Sequence, residues 1–147
     1  MELRQILHEV DLFEGMTEAE LDKVAHICHE KHFHTGENIT VEGSVGDELY
    51  IITDGFVEVM LGGRPASSAH VIVSLGSGQI IGEMALLDQG PRSASVLAAY
   101  EPTTVQVIKR KDFDDLCQND TRIGYVVMRN LAADLSFKLR HRNLSDR

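Results

Sequence analysis

The sequence predicts a mainly β fold with flanking helices, a β-roll or jelly-roll with helices at both ends. Two patterns point there. Short apolar runs of period two, punctuated by glycine, fill the chain from about Phe33 to Ile108, and apolar residues at helical spacing precede and follow them. Short strands at close spacing favour an antiparallel roll or sandwich over a parallel sheet. One domain, 1–147, is expected, with N-terminal helices over 1–30, the roll over 31–109 and C-terminal helices over 110–147.

The elements follow in order. Leu3, Ile6, Leu7 and Val10 predict a short amphipathic helix, which Asp11 to Gly15 breaks. Thr17 followed by Glu20 is a capping-box signature, and Leu21, Val24, Ala25 and Cys28 form the apolar face of a second helix. From Glu30 to Val45 the helical period is lost, with Ile39 and Val41 alternating between Gly36 and Gly43. The run Gly46-Asp47-Glu48-Leu49-Tyr50-Ile51-Ile52 leads through Gly55 to Val57 and Val59. Gly62-Gly63-Arg64-Pro65 predicts a hairpin tip. Val71, Val73 and Leu75 alternate next, Ile80 and Ile81 follow Gly76 and Gly78, and Val96 and Val105 to Val107 carry the last strands. Phe113, Leu116 and Cys117 return to helical spacing, and Met128, Leu131, Ala132, Leu135 and Leu139 line one face of a longer helix.

Composition narrows the function. Of 147 residues, 43% are hydrophobic and 25% charged, which a folded globular chain has and a disordered one lacks. A net charge of −9 argues against a general nucleic-acid binder. Basic residues do gather late, at Arg122, Arg129, Lys138, Arg140, Arg142 and Arg147 against Asp134 and Asp146, and read as a solvated helix face. No apolar run reaches the ~20 residues that span a bilayer, and the N-terminus lacks the apolar core of a secretion signal, so a cytoplasmic location is expected. Cys28 and Cys117 lack CxxC spacing and are expected to be reduced thiols on helical apolar faces. His26, Cys28, His29, His32 and His34 crowd together, and His26 and His29 would share a face if helical. The segment crosses from helix towards strand without a second ligand pair, so no metal is expected.

The informative stretch runs from Gly82 to Val96, GEMALLDQGPRSASV. A short helical turn from Met84 to Leu87, facing a buried guanidinium at Arg92, can hold one phosphate. Glu83 can accept hydrogen bonds from a sugar hydroxyl. Phosphate and ribose on one loop point to a nucleotide.

The stretch resembles the phosphate-binding cassette of cyclic nucleotide-binding domains, the module of cAMP receptor proteins, kinase regulatory subunits and cyclic nucleotide-gated channels. The family pattern is met at Gly82, Glu83, Met84, Ala85, Leu86, Pro91, Arg92, Ser93 and Ala94. Leu12-Phe13 through Leu21 and Gly46 through Val57 resemble further family elements, so the likeness covers almost the whole chain.

The resemblance implies a stand-alone, bacterial-like member whose cassette spans 82–95. Arg92 would meet the exocyclic oxygens of a cyclic phosphate, Glu83 the ribose 2′-hydroxyl, and Gly82 would let the chain approach the sugar. The N–H groups of Ala85 and Leu86, with Met84 in the same turn and Ala94 behind Arg92, would complete the site. Val71, Val73 and a lid near Leu135 and Lys138 would contact the base. Ser93 stands between the Thr typical of cGMP binders and the Ala of strict cAMP binders. Bacterial cAMP-responsive members share Arg-Ser-Ala, so cAMP is expected over cGMP. Lys138-Leu139 departs from the Thr-Ser that some receptor proteins offer to adenine. No cofactor is expected beyond the ligand, cAMP or cGMP, and no catalysis, since no nucleophile is paired with a base. The lid helices would move on binding, and partners would be a second copy through the last helix or an unidentified effector. The chain ends at Arg147 without a helix-turn-helix, so direct DNA binding is not expected. The alternatives are a protein-interaction module of the same fold that no longer responds to nucleotide, and a cupin-type enzyme using the histidines.

Overall fold

The structure, a computed structural model, describes residues 2–61, 70–88 and 90–145. The expected hairpin tip at Gly62 to Pro65, and the terminal charges Asp146 and Arg147, lie outside the described residues. The chain divides into two units: Met1–His26 with Asp114–Arg147, and Ile27–Phe113.

The second unit is the roll. Its strands are β1 (Cys28–Phe33), β2 (Asn38–Thr40), β3 (Glu48–Asp54), β4 (Phe56–Leu61), β5 (His70–Gly76), β6 (Ile80–Ile81), β7 (Ser95–Ala98) and β8 (Thr103–Lys109). They form two four-stranded sheets, β1-β8-β3-β6 and β2-β7-β4-β5, with every pairing antiparallel. This is the predicted class, antiparallel sheets with flanking helices. Phe33, Ile39, Tyr50, Ile52, Val57, Ile81, Val96, Ala98, Val105 and Val107 form a buried cluster, with Val59 and Leu75 packed against it. Between β3 and β4, Gly55 holds φ at +81°, and a Cβ there would lie 2.8 Å from Thr103 Oγ1, so only glycine fits.

The first unit contains α1 (Leu3–Glu9), α2 (Glu18–His26) and α4 (Thr121–Ser145), together with the end of α3 (Arg110–Asn119). The expected capping box is present: Thr17 N–H donates to Glu20 Oε1 at 2.8 Å, and Glu20 N–H donates to Thr17 Oγ1 at 3.2 Å. Arg122 on α4 donates to the same Glu20 carboxylate, and Asn130 Nδ2 donates to the carbonyls of Leu12 and Glu14, each at 2.9 Å. Lys23 pairs with Asp120 at 2.9 Å. Among the described residues no helix is long and apolar enough to cross a membrane.

The expectation for Cys28 needs correcting, and three others gain detail. The break at Asp11 to Gly15 contains a 3-10 turn, Asp11–Phe13, whose Leu12 and Phe13 are buried. Cys28 is not on a helix: α2 ends at His26, and Cys28 opens β1 because β8 extends far enough to pair it with Ile108. The same pairing separates the histidines. His26 closes α2, while His29 and His32 fall on opposite sides of β1, His29 lying 3.7 Å from Asp112 and His32 2.9 Å from Thr104 Oγ1. Finally, the stripe read along α4 is only partly buried. Ile123, Val126, Val127 and Leu131 are buried, Met128 and Leu135 half-buried, and Ala132 and Leu139 exposed. Periodicity marks a stripe, not how far along it the covering extends.

Neither cysteine is in a disulfide. Burial pushes the Cys28 thiol up to about 12 and, aided by Asp114 and Asp120, the Cys117 thiol up to about 11.

Candidate functional site

The cassette begins where β6 ends. Gly82 takes a left-handed conformation, φ +79°, and turns the chain into a 3-10 helix, Glu83–Leu86. Ala85 N–H donates to Gly82 O at 3.0 Å, and Leu87 and Asp88 N–H both donate to Met84 O, at 3.0 and 3.2 Å. The turn is two-sided: Ala85 and Leu86 are buried and pack it against β3, whereas Met84 is exposed and Glu83 half-buried. Past it, Gly90 N–H donates to Asp88 Oδ1 at 3.0 Å, an Asx turn that leads into Pro91.

A turn elsewhere in the chain fixes the backbone of Arg92. Arg92 N–H donates to Ser44 O at 2.7 Å, Gly43 N–H donates to Arg92 O at 2.9 Å, and Val45 bridges Pro91. Ser44 closes that turn by donating its N–H and its hydroxyl to Val41 O, at 3.1 and 2.6 Å. Beyond Arg92, Ala94 O accepts from Thr40 Oγ1 at 3.2 Å before β7 begins. The Arg92 side chain is therefore aimed by a backbone tied at several points.

Its guanidinium, half-buried rather than buried as expected, occupies a narrow slot. Nη2 donates to Glu48 O at 2.9 Å. Cζ lies 5.9 Å from the centroid of the Tyr50 ring, within cation–π range. Tyr50 in turn donates its hydroxyl to Glu48 Oε1 at 2.8 Å. Burial, then the Glu48 carboxylate, push this phenol up to about 12, so it remains a donor at neutral pH. Glycines form two walls: a Cβ at Gly82 would overlap Nη1, and one at Gly46 would lie 2.7 Å from Nε and 2.8 Å from Cζ. Among the described residues the other guanidinium N–H groups have no hydrogen-bond partner. The slot thus presents a fixed cation with donors to spare beside the start of the 3-10 turn, a combination suited to an anion with several oxygens.

The structure brings Gly82, Glu83, Met84, Ala85, Leu86 and Arg92 together, since Gly82 touches the guanidinium and the others follow in the same turn. Ser93 is exposed and Ala94 half-buried beside them. Val73 pairs with Val59, which packs on the roll's core, whereas Val71 pairs with Met60 across a register shift that breaks the alternation along β5. Each of the two valines is 45% exposed. Leu135 and Lys138 lie on α4 in the other unit, Leu135 half-buried and Lys138 exposed and paired with Asp134 at 2.9 Å. Sequence reasoning missed Gly46, Glu48 and Tyr50 as parts of the site. The signal was present, because Gly46 through Ile52 already stood out as a patterned run.

Fold and slot define a β-roll that presents a fixed guanidinium and a carboxylate on one loop. The chain belongs to the cyclic nucleotide-binding domain family, whose pattern matches residues 30–120. It is 35% identical to a cGMP-dependent protein kinase of Toxoplasma gondii over 90% of this chain and 12% of the kinase. It is 34% identical to the Cyclic AMP receptor protein of Thermus thermophilus over 90% of this chain and 59% of the receptor. The crystal structure of the Thermus thermophilus catabolite activator protein superposes with a TM-score of 0.80 at 30% identity, covering 92% of this chain and 61% of that one. The chain thus spans less than two thirds of each of these relatives, and the family it shares with them is that of a regulatory nucleotide-binding domain.

Proposed function

We propose that this chain is a regulatory sensor that binds a 3′,5′-cyclic nucleotide, cAMP over cGMP, and answers by moving its C-terminal helices. The observation that carries the reading is the Arg92 guanidinium, held beside Gly82 at the start of the 3-10 turn with donors left over. Arg92 grips the phosphate with paired charge-assisted hydrogen bonds, and Glu83 accepts from the ribose 2′-hydroxyl. Gly82, Met84, Ala85, Leu86, Ser93 and Ala94 complete the cassette, and Val71 and Val73 flank the base. Leu135 and Lys138 on α4 supply the lid.

The preference for cAMP is supported by Ser93 and by the relative named as a cyclic AMP receptor protein. The similarity to a cGMP-dependent kinase makes cGMP the competitor to test. No catalytic step and no cofactor belong to this reading, and its setting is the cytoplasm. The output is a population shift, because a ligand moves an equilibrium only by favouring one arrangement over another. Exposed Tyr125, Phe137 and Leu139 offer α4 as the surface that passes the signal to a second copy or an effector.

Thermal denaturation of the protein titrated with cAMP, cGMP and 2′-deoxy-cAMP tests this, since a ligand of the native state raises the melting temperature with concentration. cAMP should raise it at the lowest concentration, cGMP at a higher one, and the deoxy analogue weakly. Glu83→Ala should abolish the difference between cAMP and its deoxy analogue. No shift with either cyclic nucleotide would leave the protein-interaction module as the better reading.

A further inference from the structure

We infer that Gly46 is a positioning residue for Arg92: it is glycine in order to leave room for the guanidinium, and with Tyr50 it orders that group before any ligand arrives. The argument begins with the backbone. Among the described residues the glycines with positive φ are Gly15, Gly36, Gly43, Gly55, Gly78 and Gly82, and Gly46 is not one of them. Its backbone therefore accepts an L side chain without strain. What a side chain would meet first is Arg92: the three heavy atoms nearest a Cβ at Gly46 are Nη2, Nε and Cζ of that residue, the last two at 2.7 and 2.8 Å. Gly82 differs, because its φ of +79° and the Glu48 carbonyl 3.1 Å from a Cβ would restrict it in any case.

The opposite side of the slot is equally specific. Tyr50 is buried, its ring lies 5.9 Å from Cζ, and its hydroxyl is tethered to the Glu48 carboxylate at 2.8 Å. Glu48 contributes twice, through its carboxylate to Tyr50 and through its carbonyl to Nη2 at 2.9 Å. An arginine left mobile would have to be ordered when phosphate binds, which weakens affinity. Here Gly46, Glu48 and Tyr50 supply that ordering from within the fold itself.

The clash falls on the far end of a long side chain, so in Gly46→Ala the guanidinium yields and the fold does not. This inference rests on the reading of Arg92 as the phosphate group, and the experiment keeps the two apart. The full chain is compared as wild type, Gly46→Ala, Arg92→Ala and the double variant. Melting temperature, calorimetric affinity for cAMP and the Arg92 side-chain Nε–H signal in 15N NMR without ligand are recorded.

Gly46→Ala should melt close to wild type, bind cAMP about tenfold or more weakly, and show the Nε–H signal moved towards that of a solvent-exposed arginine. In the Arg92→Ala background the same alanine should change neither stability nor affinity. An unmoved Nε–H signal in Gly46→Ala overturns the positioning role whatever the ligand does, as does unchanged affinity where Arg92→Ala has lost it. Unchanged affinity in Arg92→Ala, with the signal moved in Gly46→Ala, refutes the phosphate assignment and leaves the positioning standing.

Discussion

The Arg92 slot and the C-terminal half of α4 are opposites. In the slot a charged, flexible side chain is held by a carbonyl, a tyrosine ring and two glycines, on a backbone tied to the turn around Ser44. Along α4, by contrast, the buried side chains are Ile123, Val126, Val127 and Leu131. Beyond Leu131 none of the described side chains of that helix is buried, and Phe137 and Leu139 are each 59% exposed. A recognition group gains affinity from being ordered in advance. An element that responds must keep arrangements of similar free energy, which a helix segment with few buried anchors does. The distribution of packing thus separates an ordered guanidinium from a helix segment with few buried anchors.

The strongest way to break this comparison is to remove the guanidinium. Two charge-assisted hydrogen bonds to phosphate contribute about 4 kcal/mol together, so Arg92→Ala should weaken cAMP binding by about a thousandfold. Calorimetry would read that loss while the melting temperature of the free protein stays near wild type, since the side chain is only half-buried and not part of the core cluster. A dissociation constant within a few-fold of wild type would place the anion elsewhere.

Next in size is a contrast within α4. Leu131 is 1% exposed, and Leu131→Ala should destabilise the folded chain by about 3 kcal/mol through lost burial and a cavity. Leu139→Ala, at an exposed position, should change stability by less than about 0.5 kcal/mol. Urea denaturation measures both, and equal effects would mean that the two halves of the helix are anchored alike. A smaller loss, about 1 kcal/mol, is expected for Thr17→Ala, which removes the hydroxyl that accepts from Glu20 N–H at the start of α2.

What the residues made legible follows from how local each signal was. The capping box at Thr17 and Glu20, the short helical turn after Gly82, and the strands of the roll all lie within a few positions of chain. Pattern and spacing therefore sufficed for them. The slot was not legible, because Gly46 and Tyr50 meet Arg92 only after β3 and the cassette have folded together. Gly82 was read as room for a sugar, and a Cβ there would also meet Arg92 and the Glu48 carbonyl, which lie far from it in the chain. Cys28 read as helical because an apolar residue four positions after Val24 fits a helix, and only the reach of β8 makes it a strand residue. The stripe on α4 was visible, but its partition into buried and exposed halves depends on partners that periodicity does not report.

The smallest expected effect is a pH dependence carried by ion pairs in both units, Glu20 and Asp120 among the helices and His34 with Glu101 on the roll. The hydrogen bond from Arg122, with the one from Thr17, holds the Glu20 carboxyl below its ordinary 4.5, although burial opposes the shift. A carboxyl depressed on folding stabilises fully above its unfolded value and loses that contribution as pH falls through the folded one. Glu101 beside His34 and Asp120 beside Lys23 shift in the same direction and add to the acid limb. His34 shifts upward, through its hydrogen bond to Glu101, so its contribution is complete below 6.5 and fades as pH rises through the folded value. Urea midpoints should therefore decline slightly above neutrality, hold between about pH 5 and 6, and fall below pH 4.5. Glu20→Gln should make the acid limb shallower and leave the alkaline decline untouched, while His34→Gln removes that decline. An acid limb as steep in Glu20→Gln as in wild type would mean that the Arg122 contact adds no stability to the α2–α4 junction.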